Sequence, residues 1–302
     1  MNIVFYGNNY HMGDIYFFKS FLKKFCEINK NVYLLLQSKE YKCNNYFLFS
    51  DIPNLNLVYN DDGYKMYVYD NYKIINNNNI YINIWVGVHY KYGNTNLKDI
   101  ECKLMNINNY YNSIINYITV KFKLNYKLIP NNYKELPTIP YTNIDNFLEF
   151  KKNKKTIFYY NVYPRSGQSV PVNNQDKIIE KLADLYKDYY IICSDRTKVN
   201  KINVINTIDA FNNDFKFDGE NIAKYLYYGL NSDFIILFDV GACFYILNDK
   251  IKNYKGKIIH INSDEYYYNA IQSILNMNNY INLNVKDEEE LLNDKIQKLM
   301  DF

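Results

Sequence analysis

Apolar residues along this chain fall into short continuous runs separated by stretches of helical period. Residues 2–6 (Asn-Ile-Val-Phe-Tyr) form the first run. The turn Gly7-Asn8-Asn9-Tyr10-His11-Met12-Gly13 follows, and Ile15, Phe18, Leu22, Phe25 and Cys26 then recur at helical spacing across 14–28. Residues 31–36 make a second run, so a strand–helix–strand unit with parallel, neighbouring strands is expected. Leu55–Tyr59 reads as a third short strand. Residues 64–69, 72–75 and 80–86 read as further short strands, joined by Asp70-Asn71 and by Asn76–Asn79, with some pairing as hairpins. A helical stretch covers roughly 97–123.

Three of the six prolines, Pro130, Pro137 and Pro140, fall within 126–145, and the linker between two patterned regions is placed there. This predicts an N-terminal Rossmann-like domain over 1–125 and a C-terminal one over 146–302. In the second half, strands at 156–160, 190–193, 204–206, 234–238 and 257–261 alternate with helices near 174–187, 219–230, 242–248 and 265–275. A last amphipathic helix is expected over 286–301. Near-continuous apolar strands alternating with helices fit parallel sheets covered on both faces. The expected fold class is α/β, with two Rossmann-like domains facing a cleft.

Composition narrows the function. The 302 residues carry 35 Lys plus Arg against 32 Asp plus Glu, a net charge of +3, which lacks the basic excess of a nucleic-acid binder. No apolar run approaches the roughly 20 residues of a membrane helix, and no signal peptide is read at the start. Five cysteines, an odd number without a CxxC pair, argue against a disulfide framework or a zinc site. A reduced, cytoplasmic protein is expected. The 49 Asn and 35 Tyr reflect AT-rich codons before they reflect function, so polar runs such as Asn76–Asn79 read as loop filler.

Ligands of open α/β sheets bind beyond the carboxyl ends of the strands. His11, Gly13 and Asp14 follow the first strand. The loop 161–169 contains Arg165, Ser166, Gly167 and Gln168, a set able to hold a diphosphate through backbone amides and a forked guanidinium. Ser194 and Arg196 follow the next strand, and Asp239, Gly241 and Ala242 follow the strand ending at Phe238. Asp14 is a candidate general base, and His11 is the competing one. The GxGxxG, GxxxxGK[ST] and GxSxG patterns are absent, which argues against dinucleotide, P-loop and hydrolase chemistry. Asp-x-Asp is also absent, so a metal-held nucleotide is not expected and no residue is assigned to a metal.

Met12-Gly13-Asp14-Ile15 resembles the "GD" loop of heptosyltransferase-like, family 9-like GT-B glycosyltransferases. Asn221–Leu226, Ser232–Ile236 and Asp239-Val240-Gly241-Ala242 resemble that group's helix, strand and "D-T-G" run, in the same order and spacing. The resemblance implies a metal-independent, inverting transfer from a nucleotide-sugar donor to a glycan or other hydroxyl acceptor. It places the donor on the second domain and the base at Asp14, with no cofactor beyond the nucleotide-sugar. Two positions depart from the pattern: Val240 replaces the threonine, and Phe244 stands where a histidine is usual. A sugar-nucleotide epimerase and a non-catalytic carbohydrate- or partner-binding relative remain open as alternatives.

Overall fold

The computed structural model describes residues 1–6, 12–36, 48–59, 72–75, 78–84, 107–130, 132–133, 135–139, 145–161, 170, 172–211, 219–238, 246, 248–262 and 277–299. The chain forms two compact units, one of Met1–Pro140 and the other mainly of Tyr141–Lys216 and Glu220–Phe302. Both units are α/β and Rossmann-like.

The first unit holds strands β1 (Asn2–Tyr6), β2 (Val32–Leu36), β3 (Leu55–Tyr59), β4 (Tyr72–Ile75) and β5 (Asn79–Asn83), in the order β3-β2-β1-β5-β4. All neighbours are parallel except β4 and β5, which pair as the hairpin expected from the Asn-rich turn. Helix α1 (Met12–Ile28) covers the sheet because Phe18, Phe21, Leu22 and Phe25 recur on one face, three or four residues apart. The Phe5 ring meets those of Phe18, Phe21 and Phe25 at 5.0, 6.3 and 5.8 Å. Helix α2 (Ile107–Lys121) closes the cluster with Tyr111, whose ring lies 4.8 Å from Phe18 and whose hydroxyl donates to the Ile84 carbonyl.

The proline-bearing stretch is bonded to this first unit over much of 126–139. Asn29 receives the Lys127 N–H at 2.7 Å and donates to the Lys127 carbonyl at 2.9 Å. Asn112 does the same for Ile129, at 3.1 and 2.7 Å. Each carboxamide thus acts as one rung of a strand ladder for a segment that has no partner strand among the described residues. Lys19, buried along α1, pairs with Asp51 at 2.7 Å and donates to the Thr138 carbonyl. Asp51 also accepts from the Thr138 hydroxyl at 2.7 Å.

The second unit begins with helix α3 (Asp145–Lys151), followed by β6 (Lys155–Tyr159), α4 (Gln175–Leu185), β7 (Tyr189–Cys193), β8 (Val204–Asn206) and α5 (Thr207–Ala210). After these come α6 (Gly219–Leu230), β9 (Phe234–Phe238), β10 (Lys257–Asn262) and β11 (Tyr280–Asn284). The six strands are all parallel, in the order β11-β10-β9-β6-β7-β8. The chain therefore starts in mid-sheet, adds two strands on one side, then returns to β6 and adds three on the other. Successive strand residues point to opposite faces. The Tyr159 hydroxyl bonds to Gln175 of α4, while the Phe158 ring lies 6.4 Å from Tyr228 of α6, so the two helices cover opposite faces of β6. Gly229 lets α6 pack close, since a Cβ there would stand 3.3 Å from the Phe158 ring. Asp233 anchors the start of β6, accepting from the Thr156 N–H at 2.7 Å and pairing with Lys151 at 3.3 Å.

Helices α3 and α5, strand β11 and the C-terminal helix differ from the sequence expectation, and the first three have no counterpart in the pattern reading. The final amphipathic helix is one α-turn (Glu288–Glu290), a π turn (Leu291–Lys295) and a short 3-10 turn (Ile296–Lys298). Leu291 and Ile296, both buried, are five residues apart, a spacing that a wider turn brings onto one face. The Tyr186 hydroxyl holds the far end, donating to the carbonyls of Ile296 and Gln297 at 2.8 and 3.2 Å.

His260 sits inside β10, fully buried, with its Nδ1 against the Tyr280 hydroxyl of β11. Burial pushes its pKa down to about 3 from an ordinary 6.5. The folded state therefore refuses a proton that the unfolded chain takes up. This contribution to stability is complete above pH 6.5 and is lost as pH falls toward 3, at about 1.4 kcal/mol per pH unit. Urea unfolding of wild type and His260→Gln across this range should show the variant with the shallower slope by about that amount.

Candidate functional site

The reversal of strand order between β6 and β9 defines a switch point in the second unit, the place where open α/β sheets leave a crevice at their carboxyl edge. β9, β6 and β7 are adjacent, and they end at Phe238, Tyr159 and Cys193. Pairing continues one residue further: the Tyr160 N–H donates to the Ile236 carbonyl at 2.9 Å, and the Ser194 N–H donates to the Tyr159 carbonyl at 3.1 Å. Tyr160-Asn161, Ser194 and the end of β9 at Phe238 therefore stand at neighbouring strand ends, while residues 162–169 and 239–242 lie outside the described residues.

Asn161 organises this edge. Its N–H donates to Ser194 Oγ at 3.1 Å, and its Oδ1 accepts from Ser194 Oγ at 3.0 Å and from the Asp195 N–H at 2.7 Å. Its Nδ2 donates to the Asp195 carbonyl at 3.0 Å. Ser194 is fully buried and its hydroxyl is committed to Asn161, so it shapes the edge from beneath. Arg196 is on the surface: its N–H donates to Asp195 Oδ1 at 2.7 Å, and its side chain, 72% exposed, lies 3.8 Å from Asp209. A pair that exposed contributes little to stability, which leaves the guanidinium accessible to a ligand.

The first turn of α4 lies at the same edge. Asn174 caps it, accepting from the Asp176 N–H at 3.0 Å. Asp176 Oδ1 accepts from the Thr197 hydroxyl and from the Lys198 N–H, the latter at 3.2 Å. Glu288, from the C-terminal turn, accepts from the Asn173 and Asn174 N–H groups at 2.6 and 3.0 Å. Cys193 is fully buried, and burial pushes its thiol well above the usual range, so it stays protonated and is no nucleophile.

In the first unit the corresponding break lies between β1 and β5. Tyr6 stands opposite Asn83, and the Ile84 N–H donates to the Tyr6 carbonyl at 2.8 Å. Asp14 is the third residue of α1, the helix that follows β1. Its side chain, and all of His11, Arg165, Ser166, Gly167, Gln168, Asp239, Gly241 and Ala242, lie outside the described residues. Of the residues expected in the donor site, the described part brings together Ser194 and Arg196. Pattern reading missed Asn161, Gln175 and Glu288 as organisers of this edge. Asn161 is one asparagine among 49, and its only signal is its place directly after an apolar strand. Among the described residues, no three His, Cys, Asp or Glu side chains cluster to hold a metal ion, and no helix is long and apolar enough to cross a membrane.

No protein-family model matches the chain. No curated protein matches it either. Several solved structures are similar to it, among them the following three. The ADP-heptose lps heptosyltransferase II of E. coli aligns with a TM-score of 0.47 and 10% identity, over 100% of this chain and 97% of that one. The glycosyl transferase family 9 structure from Veillonella parvula DSM 2008 aligns with a TM-score of 0.48 and 11% identity, over 96% and 88%. The iron-containing dodecameric glycosyltransferase TibC from enterotoxigenic E. coli H10407 aligns with a TM-score of 0.41 and 11% identity, over 86% of this chain and 57% of that one.

Asn161→Ala strips the Ser194 hydroxyl and the Asp195 N–H of their common acceptor. It should cost about 2–4 kcal/mol in urea unfolding, because partly buried polar groups are left unpaired. Asn161→Asp, which keeps the accepting oxygen but sets a charge against the Asp195 carbonyl, should also lower stability, and more so at neutral than at acid pH.

Proposed function

We propose that the protein is a GT-B-type glycosyltransferase that moves a sugar from a nucleotide-sugar to an acceptor hydroxyl. The observation that carries this reading is the meeting of β6 and β9 at the switch point. It brings the stems of 162–169 and 239–242, the two segments richest in candidate donor contacts, to neighbouring strand ends. The resemblance of Met12–Ile15 and of 221–242 to heptosyltransferase-like enzymes supplies the chemistry.

In this mechanism the acceptor oxygen bonds to the anomeric carbon as the bond from that carbon to the diphosphate oxygen breaks. Asp14 takes the acceptor's proton, and attack from the face opposite the leaving group inverts the centre. Arg165, Arg196 and the amides at Gly241 and Ala242 offset the charge that grows on the departing nucleoside diphosphate, as preorganised donors do in a water-poor site. Ser166, Gly167, Gln168 and Asp239 complete the donor loops. With guanidinium groups and amides in that role, the reaction needs no metal.

Val240 and Phe244, at positions where the group carries threonine and histidine, favour one second reading: a relative that binds carbohydrate without transferring it.

A thermal-shift panel of nucleoside diphosphates and free glycans separates the two. Stabilisation by one nucleoside diphosphate is expected, and stabilisation by glycans alone would leave the binder. With the donor so identified, Asp14→Asn should lower turnover roughly 100- to 10,000-fold while donor affinity stays within about twofold. His11→Asn should stay near wild type. Unchanged turnover in Asp14→Asn would remove Asp14 from the mechanism.

A further inference from the structure

Gln175 is the first residue of α4, and it faces the carboxyl end of β6. It is only 3% exposed. Its Oε1 accepts from the Tyr159 hydroxyl, and its buried Nε2 meets no hydrogen-bond acceptor among the described residues. Buried polar atoms in native proteins almost always have a partner, so an unserved amide at a sheet's ligand-binding edge calls for one from outside the chain.

The surroundings limit what that partner is. The positive end of α4 already holds protein carboxylates. Glu288 sits on the N–H groups of Asn173 and Asn174, Asp176 lies within the first turn, and the Asn174 side chain caps the Asp176 N–H. A phosphate brought to this end would meet two like charges, and the N–H groups of Asn173, Asn174 and Asp176 are already taken. An uncharged oxygen carries no such penalty. The geometry points to Gln175 as the residue that reads the neutral, nucleoside part of the ligand, donating from Nε2 to a base carbonyl or a ribose hydroxyl. The diphosphate then belongs to Arg165, Arg196 and the Gly241 and Ala242 amides named above, away from the first turn of α4. This inference rests on the nucleotide-sugar reading above and goes beyond it in giving the nucleoside a contact of its own at the first turn of α4.

The test compares wild type, Gln175→Met and Gln175→Glu by calorimetry against two probes: the nucleoside diphosphate that stabilises wild type, and inorganic pyrophosphate. Methionine keeps the side chain's length without a donor. Glutamate keeps the acceptor for Tyr159 while removing the donor; its charge weakens both probes, so should the methionine variant fail to fold, the loss for the nucleoside diphosphate in the glutamate variant must exceed the loss for pyrophosphate. Both variants should bind the nucleoside diphosphate at least roughly 3- to 10-fold more weakly, the range of one lost hydrogen bond. Pyrophosphate affinity should match wild type in the methionine variant. Unchanged nucleoside diphosphate affinity would mean that the amide is served by a buried water only, and would overturn the inference while leaving the glycosyltransferase reading intact. An equal loss for both probes would overturn it too, by showing that Gln175 acts through the phosphates or the fold. If wild type binds no nucleoside diphosphate at all, the nucleotide-sugar reading itself falls, and this inference with it.

Discussion

A strand with parallel neighbours on both sides must be hidden on both faces, and the second unit is built around meeting that demand for β6. Its neighbours are β7 and β9, and α4 and α6 lie on its two faces. Ile157, Phe158 and Tyr159 are fully buried as a result. Because the chain enters the sheet at β6 and must cover both faces, it winds out one way, returns, and winds out the other. The reversal leaves the ends of β6 and β9 as a place at that edge where the strand order changes direction. The candidate site thus follows from the covering of a single strand.

Aromatic side chains do much of the filling, and the tyrosines among them bring hydroxyls into dry surroundings. Tyr111, Tyr159, Tyr186 and Tyr254 each place that hydroxyl on a named acceptor: the Ile84 carbonyl, Gln175, the carbonyls of Ile296 and Gln297, and the Ser232 carbonyl. Burial pushes the Tyr254 hydroxyl well above its ordinary pKa, so it stays a donor. A core of Leu and Ile would pack without such conditions. Here packing and hydrogen bonding must be satisfied together, and this fixes where strand ends and turns lie.

Much of the fold is legible in the sequence because near-continuous apolar strands and helical-period stretches differ sharply in spacing. β1, β2, β6, β7, β9 and β10 read cleanly, and α1, α4 and α6 carry their apolar stripes where the pattern places them. β11 is hidden because Tyr-Ile-Asn-Leu-Asn is an edge strand with polar alternate positions, which in a chain this rich in asparagine looks like a loop. The broken C-terminal helix is illegible for another reason. Its π turn is set by where Leu291, Ile296 and Tyr186 meet, and that is tertiary information. The site is legible only as a set of strand ends. What organises it, Asn161 bonded across to Ser194 and Asp195, depends on two loops meeting in space, which no local pattern encodes.

The carboxamide forks have a chemical consequence of their own. Asn29, Asn112 and Asn161 each stand in for a missing stretch of main chain, offering one donor and one acceptor to a neighbouring peptide group. Slow hydrolysis of any of them to aspartate would exchange the donor for a negative charge facing a carbonyl oxygen, turning attraction into repulsion. The shelf life of this molecule at elevated temperature is therefore tied to the ageing of a few interior amides as well as to the melting of its sheets.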